Sequence, residues 1–207
     1  MADLTAFAVN CSLRGSDSKD PSSSERLIRD LFKALSSHGV IGDSLRAADH
    51  HIAPGVRSEK QDDRDEWPEI RQRILNADIF VLATPIWLGQ PSSIAKRVME
   101  RMDAFLSETD ERNRMPPMGK VAVVLVVGNE DGAHHCHAAC FQALNDVGFT
   151  IPAGAGGYWV GEAMGAKNYV DLPEIPDKVR QTLKMLASNA SHLARLMAAQ
   201  NYPGTQG

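Results

Sequence analysis

The sequence has little of three things, and each shortage removes a class of protein. Cysteines are few: Cys11, Cys136 and Cys140 are the three in 207 residues, an odd number that argues against a disulfide framework. Basic runs are missing, and the formal charge of −4 excludes a nucleic-acid surface as the main feature. No apolar stretch approaches membrane-spanning length, and the first residues, MADLTAFAVN, lack the charged start, long apolar segment and cleavage site of an export signal. A cytoplasmic protein with no membrane or nucleic-acid partner is expected. Repeats and low-complexity segments are also lacking. What remains is a chain with 43% hydrophobic residues, long enough for one core. A single domain over residues 1–201 and a flexible tail over 202–207 are expected.

The stretch from Asp78 to Phe105 organises the rest. Ile79–Ala83 reads as a strand buried on both faces, ending at Thr84-Pro85. The residues that follow, Ile86-Trp87-Leu88-Gly89-Gln90-Pro91, are too apolar and too punctuated for a solvated loop, so a flat apolar ligand is expected against them. From Ser92 the spacing becomes helical, with Ile94, Val98, Met102 and Phe105 on one stripe and Lys96, Arg97, Glu100 and Arg101 elsewhere. Strand, aromatic loop and helix together place a site at a strand's carboxyl end.

The first strand, Thr5–Val9, runs into Asn10-Cys11-Ser12-Leu13-Arg14-Gly15-Ser16. A helix then starts near Ser22 with Glu25 completing a capping box, and buries Leu27, Leu31 and Leu35 until His38-Gly39. A hydroxyl-rich loop before a helix N-terminus favours an anion. The helix dipole offers a charge only about 0.3–2 kcal/mol, too little to take a phosphate dianion from water. Hydrogen bonds to charged groups, at about 1.5–3 kcal/mol each, must supply the rest, and Ser12, Arg14, Ser23, Ser24 and backbone amides are the candidate donors. A polar surface loop before a capped helix is the plainer alternative.

Val40–Ala47 is a weaker strand, followed by a charged excursion in which His50, His51 and the acidic run Asp62, Asp63, Asp65, Glu66 are expected to be solvated. Trp67-Pro68 opens a short helix. After the polar segment Ser107–Met118, Lys120–Val127 is a second buried strand, ending in the turn-rich Gly128-Asn129-Glu130-Asp131-Gly132-Ala133-His134. A helix over His135–Val147, a last strand region between Thr150 and Val160, a loop over Gly161–Leu172 and a long helix over Pro176–Ala199 complete the chain. Strands alternate with helices, so the expected fold is α/β: a doubly wound five-stranded parallel sheet of order 2-1-3-4-5 with helices on both faces. In that order the loops after the first, third and fourth strands meet at one crevice. A ligand with a phosphate tail and a flat heteroaromatic head fits it, and FMN is such a ligand.

The N-C-S-L-R-G-S loop with Ser22-Ser23-Ser24, the A-T-P-I-W-L-G-Q-P-S-S-x-x-K segment and the V-V-G-N-E-D-G-A-H loop carry a resemblance. They resemble the NAD(P)H-dependent FMN reductase and multimeric-flavodoxin family, which includes quinone reductases related to the tryptophan-repressor-binding protein. The likeness runs from about Leu4 to Tyr169 and implies a flavodoxin-like fold. It implies that Ser12, Arg14, Ser23 and Ser24 hold the phosphate. Pro85, Ile86, Trp87, Leu88 and Gly89 would line the isoalloxazine, with Gly128, Asn129, Gly132 and His134 at its other edge and His134 as the catalytic candidate. It further implies NAD(P)H as cosubstrate, ping-pong transfer to a quinone, flavin or similar small acceptor, and a homodimer or homotetramer. The first loop is longer than usual in that family.

Two other readings stand beside this one: a flavin-bearing electron carrier serving protein partners, and a binding module without flavin in which Trp87 is only core. The cluster His134-His135-Cys136-His137-x-x-Cys140 puts Cys136 and Cys140 on one helix face but offers no tetrahedral ligand set, so no metal is expected. No cysteine lies between Cys11 and Cys136, so the iron-sulfur cluster of related flavoproteins is not expected either.

Overall fold

A computed structural model describes residues 3–205. Its frame is a parallel sheet of β1 (Leu4–Asn10), β2 (Val40–Arg46), β3 (Ile79–Trp87), β5 (Val121–Gly128) and β6 (Gly156–Val160), with the short β4 (Gln90–Pro91) folded back antiparallel on β3. The order β2-β1-β3-β5-β6 is the doubly wound order expected once the two-residue β4 is set aside. Five helices fill the connections: α1 (Ser23–Ser36), α2 (Trp67–Asn76), α3 (Ser93–Met102), α4 (Ala133–Asp146) and α5 (Asp177–Ala199).

The period of two in a strand decides which core each side chain joins. On β3 and β5, Phe80, Leu82, Ala122, Val124 and Val126 face α2, α3 and α4, where Ile70, Ile74, Val98, Met102, Cys136, Cys140 and Leu144 meet them. The alternate residues Ile79, Val81, Ala83, Val121, Val123, Leu125 and Val127 face α1 and α5, against Leu27, Leu31, Leu35, Leu183 and Leu186. Both strands are therefore apolar on both faces, as central parallel strands must be. β2, at the edge, exposes Ile41, Gly42, Asp43 and Ser44, which is why its sequence signal is weak.

Three expectations need correction. The strand expected to stop at Ala83 continues to Trp87, pairing with β5 as far as Pro85 opposite Val127. Proline is tolerated there because successive residues present their backbone groups to opposite neighbours. Ala83 O accepts from Cys11 N of the β1 side at 2.8 Å, so the Pro85 nitrogen also faces that side, past the point where β1 ends.

The charged excursion after β2 is not simply solvated. Asp65 and Arg101 are both fully buried and paired at 2.6 Å. Arg101 also donates to the carbonyls of Ala53 (2.8 Å), Arg57 (3.1 Å) and Glu59 (2.8 Å), while Asp65 accepts from the N–H groups of Gln61, Ala53 and Trp67. Burial pushes the Asp65 carboxyl up, but the hydrogen bonds from Gln61, Arg101, Ala53 and Trp67 outweigh it and hold the carboxyl below its usual range.

The tail beyond residue 201 is tied down as far as Thr205. Thr205 N donates to Arg112 O at 3.0 Å, Asn113 Nδ2 to Thr205 O at 2.8 Å, and the Tyr202 hydroxyl lies 3.0 Å from Thr150 Oγ1. The last two residues of the expected tail lie outside the described residues. No helix among those described is long and apolar enough to cross a membrane.

Candidate functional site

The carboxyl ends of β1, β3 and β5 lie side by side, and the loops leaving them form the site. At the end of β1 sits a polar network that the sequence placed only in part. Asn10, with 2% of its surface exposed, accepts from the Ser12 N–H at 3.1 Å and from the Ser12 hydroxyl at 2.8 Å. Asn10 Nδ2 and Ser12 Oγ each lie 3.4 Å from Ser22 Oγ. Ser22 is the N-cap of α1 and accepts from Glu25 N at 3.2 Å. The expected capping box is half formed, because the Glu25 carboxylate pairs with Arg46 rather than with the Ser22 N–H. The cap leaves the N–H groups of Ser23 and Ser24 with no acceptor inside the helix.

Of the four expected phosphate donors, Ser12 stands in this network. Ser23 Oγ accepts from Val170 N at 3.2 Å, which leaves its own proton to donate. Ser24 is buried at the start of α1. Arg14 is turned outward: it is exposed and paired with Asp20 at the far end of its loop. The loop is held open over the cradle by Arg46, which donates to Gly15 O at 2.8 Å, and by Asp49, which accepts from Ser16 N at 2.6 Å. The network fits a phosphate by neutral donors and a helix N-terminus, with no free cation required.

The second loop is a hairpin. Trp87 pairs with Gln90 across a two-residue turn in which Leu88 has φ +52° and Gly89 φ +74°. Two left-handed residues in succession are the twist-matched hairpin turn, and a leucine in the first place is strained. It is held by Leu88 N donating to Glu130 Oε1 at 3.1 Å and by Gly132, where an added Cβ would lie 2.7 Å from Gly89 Cα. Glycine at 132, at φ +124°, is what lets the third loop close on the hairpin. Behind the turn, Ser92 N donates to Thr84 Oγ1 and Ser92 Oγ to Cys11 O at 2.7 Å, binding the second loop to the first. Trp87 is 51% and Leu88 91% exposed, while Pro85 is half-buried and Ile86 packs inward against Gly128.

The third loop does not gather its residues at one point. Gly128 and Gly132 approach Ile86 and Gly89, but Asn129 turns aside: its Nδ2 donates to Gly165 O at 3.1 Å and Asn168 Oδ1 at 3.3 Å, and its buried Oδ1 has no partner. His134, expected in a loop, is in the first turn of α4, exposed and edge-on to Tyr158 of β6 with ring centroids 5.3 Å apart.

Asn10, Ser22 and Arg26 were missed as site-building residues. Arg26 gathers the carbonyls of Tyr169, Val170 and Leu172 at 2.5–3.1 Å, fastening the strap after β6 to the first turn of α1. The one available signal was a polar residue, Asn10, closing a buried strand.

A cleft of about 610 Å³ opens under the hairpin, between Leu13, Trp87, Gln90 and Pro91 on one side and α3 and α4 on the other. The three thiols lie nearby in the core and are unpaired. Burial pushes Cys136 up to about 11 and Cys140 up to about 12, and raises Cys11 as well, so they are protonated packing groups at neutral pH. No three His, Cys, Asp or Glu side chains among the described residues are placed to share an ion.

Residues 5–165 match the family described as NADPH-dependent FMN reductase. The 8-demethyl-8-aminoriboflavin-5'-phosphate synthase of Streptomyces davaonensis is 30% identical over 208 residues, covering 96% of this chain and 80% of that protein. The divalent metal cation transporter MntH of Mycobacterium bovis is 36% identical over 203 residues, but they are 95% of this chain and only 29% of the transporter's length. Among solved structures, RosB with bound 8-demethyl-8-formylriboflavin-5'-phosphate superposes with a TM-score of 0.83 at 30% identity, over 98% of this chain and 83% of that one. A flavodoxin from an archaeon, at 10% identity and a TM-score of 0.59 over 93% of this chain and 99% of its own, shares the fold alone.

Proposed function

The chain belongs to the NADPH-dependent FMN reductase family, an FMN-dependent oxidoreductase with NAD(P)H as reductant, and on that premise we propose that it passes the electrons to a quinone, flavin or similar small acceptor by a ping-pong mechanism. The observation that carries this reading is the Asn10–Ser12–Ser22 cradle at the N-terminus of α1, joined through Ser92 to a hairpin that leaves a tryptophan half-exposed.

FMN supplies the hydride-accepting ring. The chain's part is to grip and to shield. Ser12, Ser22, Ser23 and the free N–H groups of Ser23 and Ser24 hold the phosphate. Trp87, Leu88 and Gly89 give the ring an apolar wall, with Gly128 and Gly132 keeping the third loop close behind it. His134, exposed beside Tyr158, is the catalytic candidate, and replacing it with Ala should slow turnover more than it weakens FMN binding; the reverse outcome reassigns it. We place the activity in the cytoplasm, in keeping with three unpaired thiols. We also propose the two- or four-copy assembly that the resemblance implies; light scattering checks it, and a monomer at working concentration rejects it.

The deciding experiment mixes protein, FMN and NADPH or NADH without air. Bleaching of the yellow flavin supports the reading, and failure with both donors removes it. A second reading, FMN as the substrate that is itself altered, is favoured by the 30% identity to a flavin-phosphate synthase. Mass spectrometry of the flavin after turnover separates the two, since the first reading predicts an unchanged mass.

A further inference from the structure

The lysine that closes the A-T-P-I-W-L-G-Q-P-S-S-x-x-K segment makes no hydrogen bond to the residues of the α1 cradle, pairs only with Glu100 among the described residues, and lies elsewhere in the fold. Lys96 lines the cleft beneath the hairpin, and it is the one charged residue among the described residues that do. Ala139 and Ala143, one turn apart on α4, line the cleft with small side chains. Trp87, Met99 and Leu13 also line it, flat or deformable apolar groups suited to the faces of a ring. The volume of about 610 Å³ lies within the roughly 300–1,000 Å³ usual for small-molecule sites. Lys96 Nζ is 3.5 Å from Glu100 on its own helix, with both side chains exposed, a pair too weak to hold the ammonium against a better partner.

We propose that this cleft binds a planar aromatic compound bearing one carboxylate or sulfonate, its ring against Trp87 and Met99 and its charge on Lys96. Resting on the function proposed above, it is the seat of the electron acceptor and selects anionic acceptors over neutral ones. Reduction of such a quinone to its hydroquinone takes two electrons and two protons; the hydride of NAD(P)H supplies two electrons and one proton, and solvent supplies the second proton.

The test uses a probe that cannot be reduced, so that binding is read apart from turnover. The FMN-loaded protein is titrated by calorimetry with naphthalene-2-sulfonate and with the neutral naphthalene-2-methanol. One site and a preference of at least about tenfold for the sulfonate are expected. Lys96→Gln should erase the preference while keeping the neutral affinity, Lys96→Arg should retain it, and Ala139→Leu should lose both ligands with the circular dichroism unchanged. Equal affinities, indifference to Lys96→Gln, or no binding overturn the proposal. So does a change in solution mass on Ala139→Leu with probe binding intact, which would give the cleft to a second copy of the chain. Flavin bleaching by NADPH is followed on the same samples. Bleaching without sulfonate binding removes the cleft alone, and sulfonate binding without bleaching removes the reductase reading alone.

Discussion

Two excursions from the sheet are held in opposite ways. The segment between β2 and α2 is anchored by a buried ion pair, Asp65 with Arg101, in which both partners are surrounded by backbone groups that satisfy them. The hairpin between β3 and α3 turns its large apolar side chains outward and puts Leu88 in a left-handed conformation. The first arrangement spends charge on a shape that has no free valence left. The second leaves apolar surface and backbone strain in place, which is what a region built to receive something retains. In the first region charge is buried and serves the shape of the chain, and in the second a tryptophan is left half-exposed.

The largest effect expected from breaking this contrast is on stability. Arg101→Met leaves the Asp65 carboxylate buried without its cation and should cost about 3–5 kcal/mol, read as a lower midpoint in urea unfolding. If the clasp and the hairpin are as separate as described, FMN affinity of the folded fraction should change less than about tenfold.

Next is a pH effect from α4, the helix packed beside the hairpin. His137 is 7% exposed, stacks on Phe141 and has an unpartnered Nε2; burial, aided by His134, pushes its pKa down to about 4. The unfolded chain binds this proton from about pH 6.5 downward and the folded chain only near 4. Its contribution is therefore complete above about pH 6.5 and is lost as pH falls to 4, by about 3 kcal/mol in all. His137→Phe should flatten that part of the stability profile.

Ser22→Ala removes a cap worth about 1 kcal/mol and one phosphate donor. It should lower the melting temperature slightly and weaken FMN roughly tenfold or more, whereas Arg14→Ala, which removes only an exposed pair with Asp20, should do neither. Smallest is Leu88→Gly. Relief of a left-handed leucine, about 1–2 kcal/mol, is offset by the added freedom of an unfolded glycine, about 0.5–1 kcal/mol. A gain of up to about 1 kcal/mol is expected, with weaker flavin binding if the leucine is kept for contact.

The sequence made the regular parts legible and hid the long-range ones. Leu27, Leu31 and Leu35 at helical spacing, and the doubly apolar runs of β3 and β5, announced the layers, because burial on two faces leaves no polar residue to alternate. The order of the strands followed from connection rules. The segment Ile86–Pro91 stood out as too apolar for a solvated loop, but its hairpin did not, since Leu-Gly lacks the Asn-Gly or Asp-Gly signature of that turn. Asp65 was read as solvated and Arg101 as lying off the apolar stripe of its helix because each looks so in its own window; only their meeting across 36 residues makes burial tolerable. Arg14 was assigned to phosphate by type, and here its side chain pairs with Asp20, six residues on. Arg26 escaped notice for the same reason, since the carbonyls it gathers lie 143 or more residues away.

The central claim is that a cradle of neutral donors at the head of α1 grips the phosphate of a flavin. Titrating the flavin-free protein with FMN and with riboflavin, followed by flavin fluorescence, tests it most directly. Two or more hydrogen bonds to a charged group, at about 1.5–3 kcal/mol each, predict that FMN binds at least about a hundredfold more tightly. Equal affinities for the two flavins would contradict it.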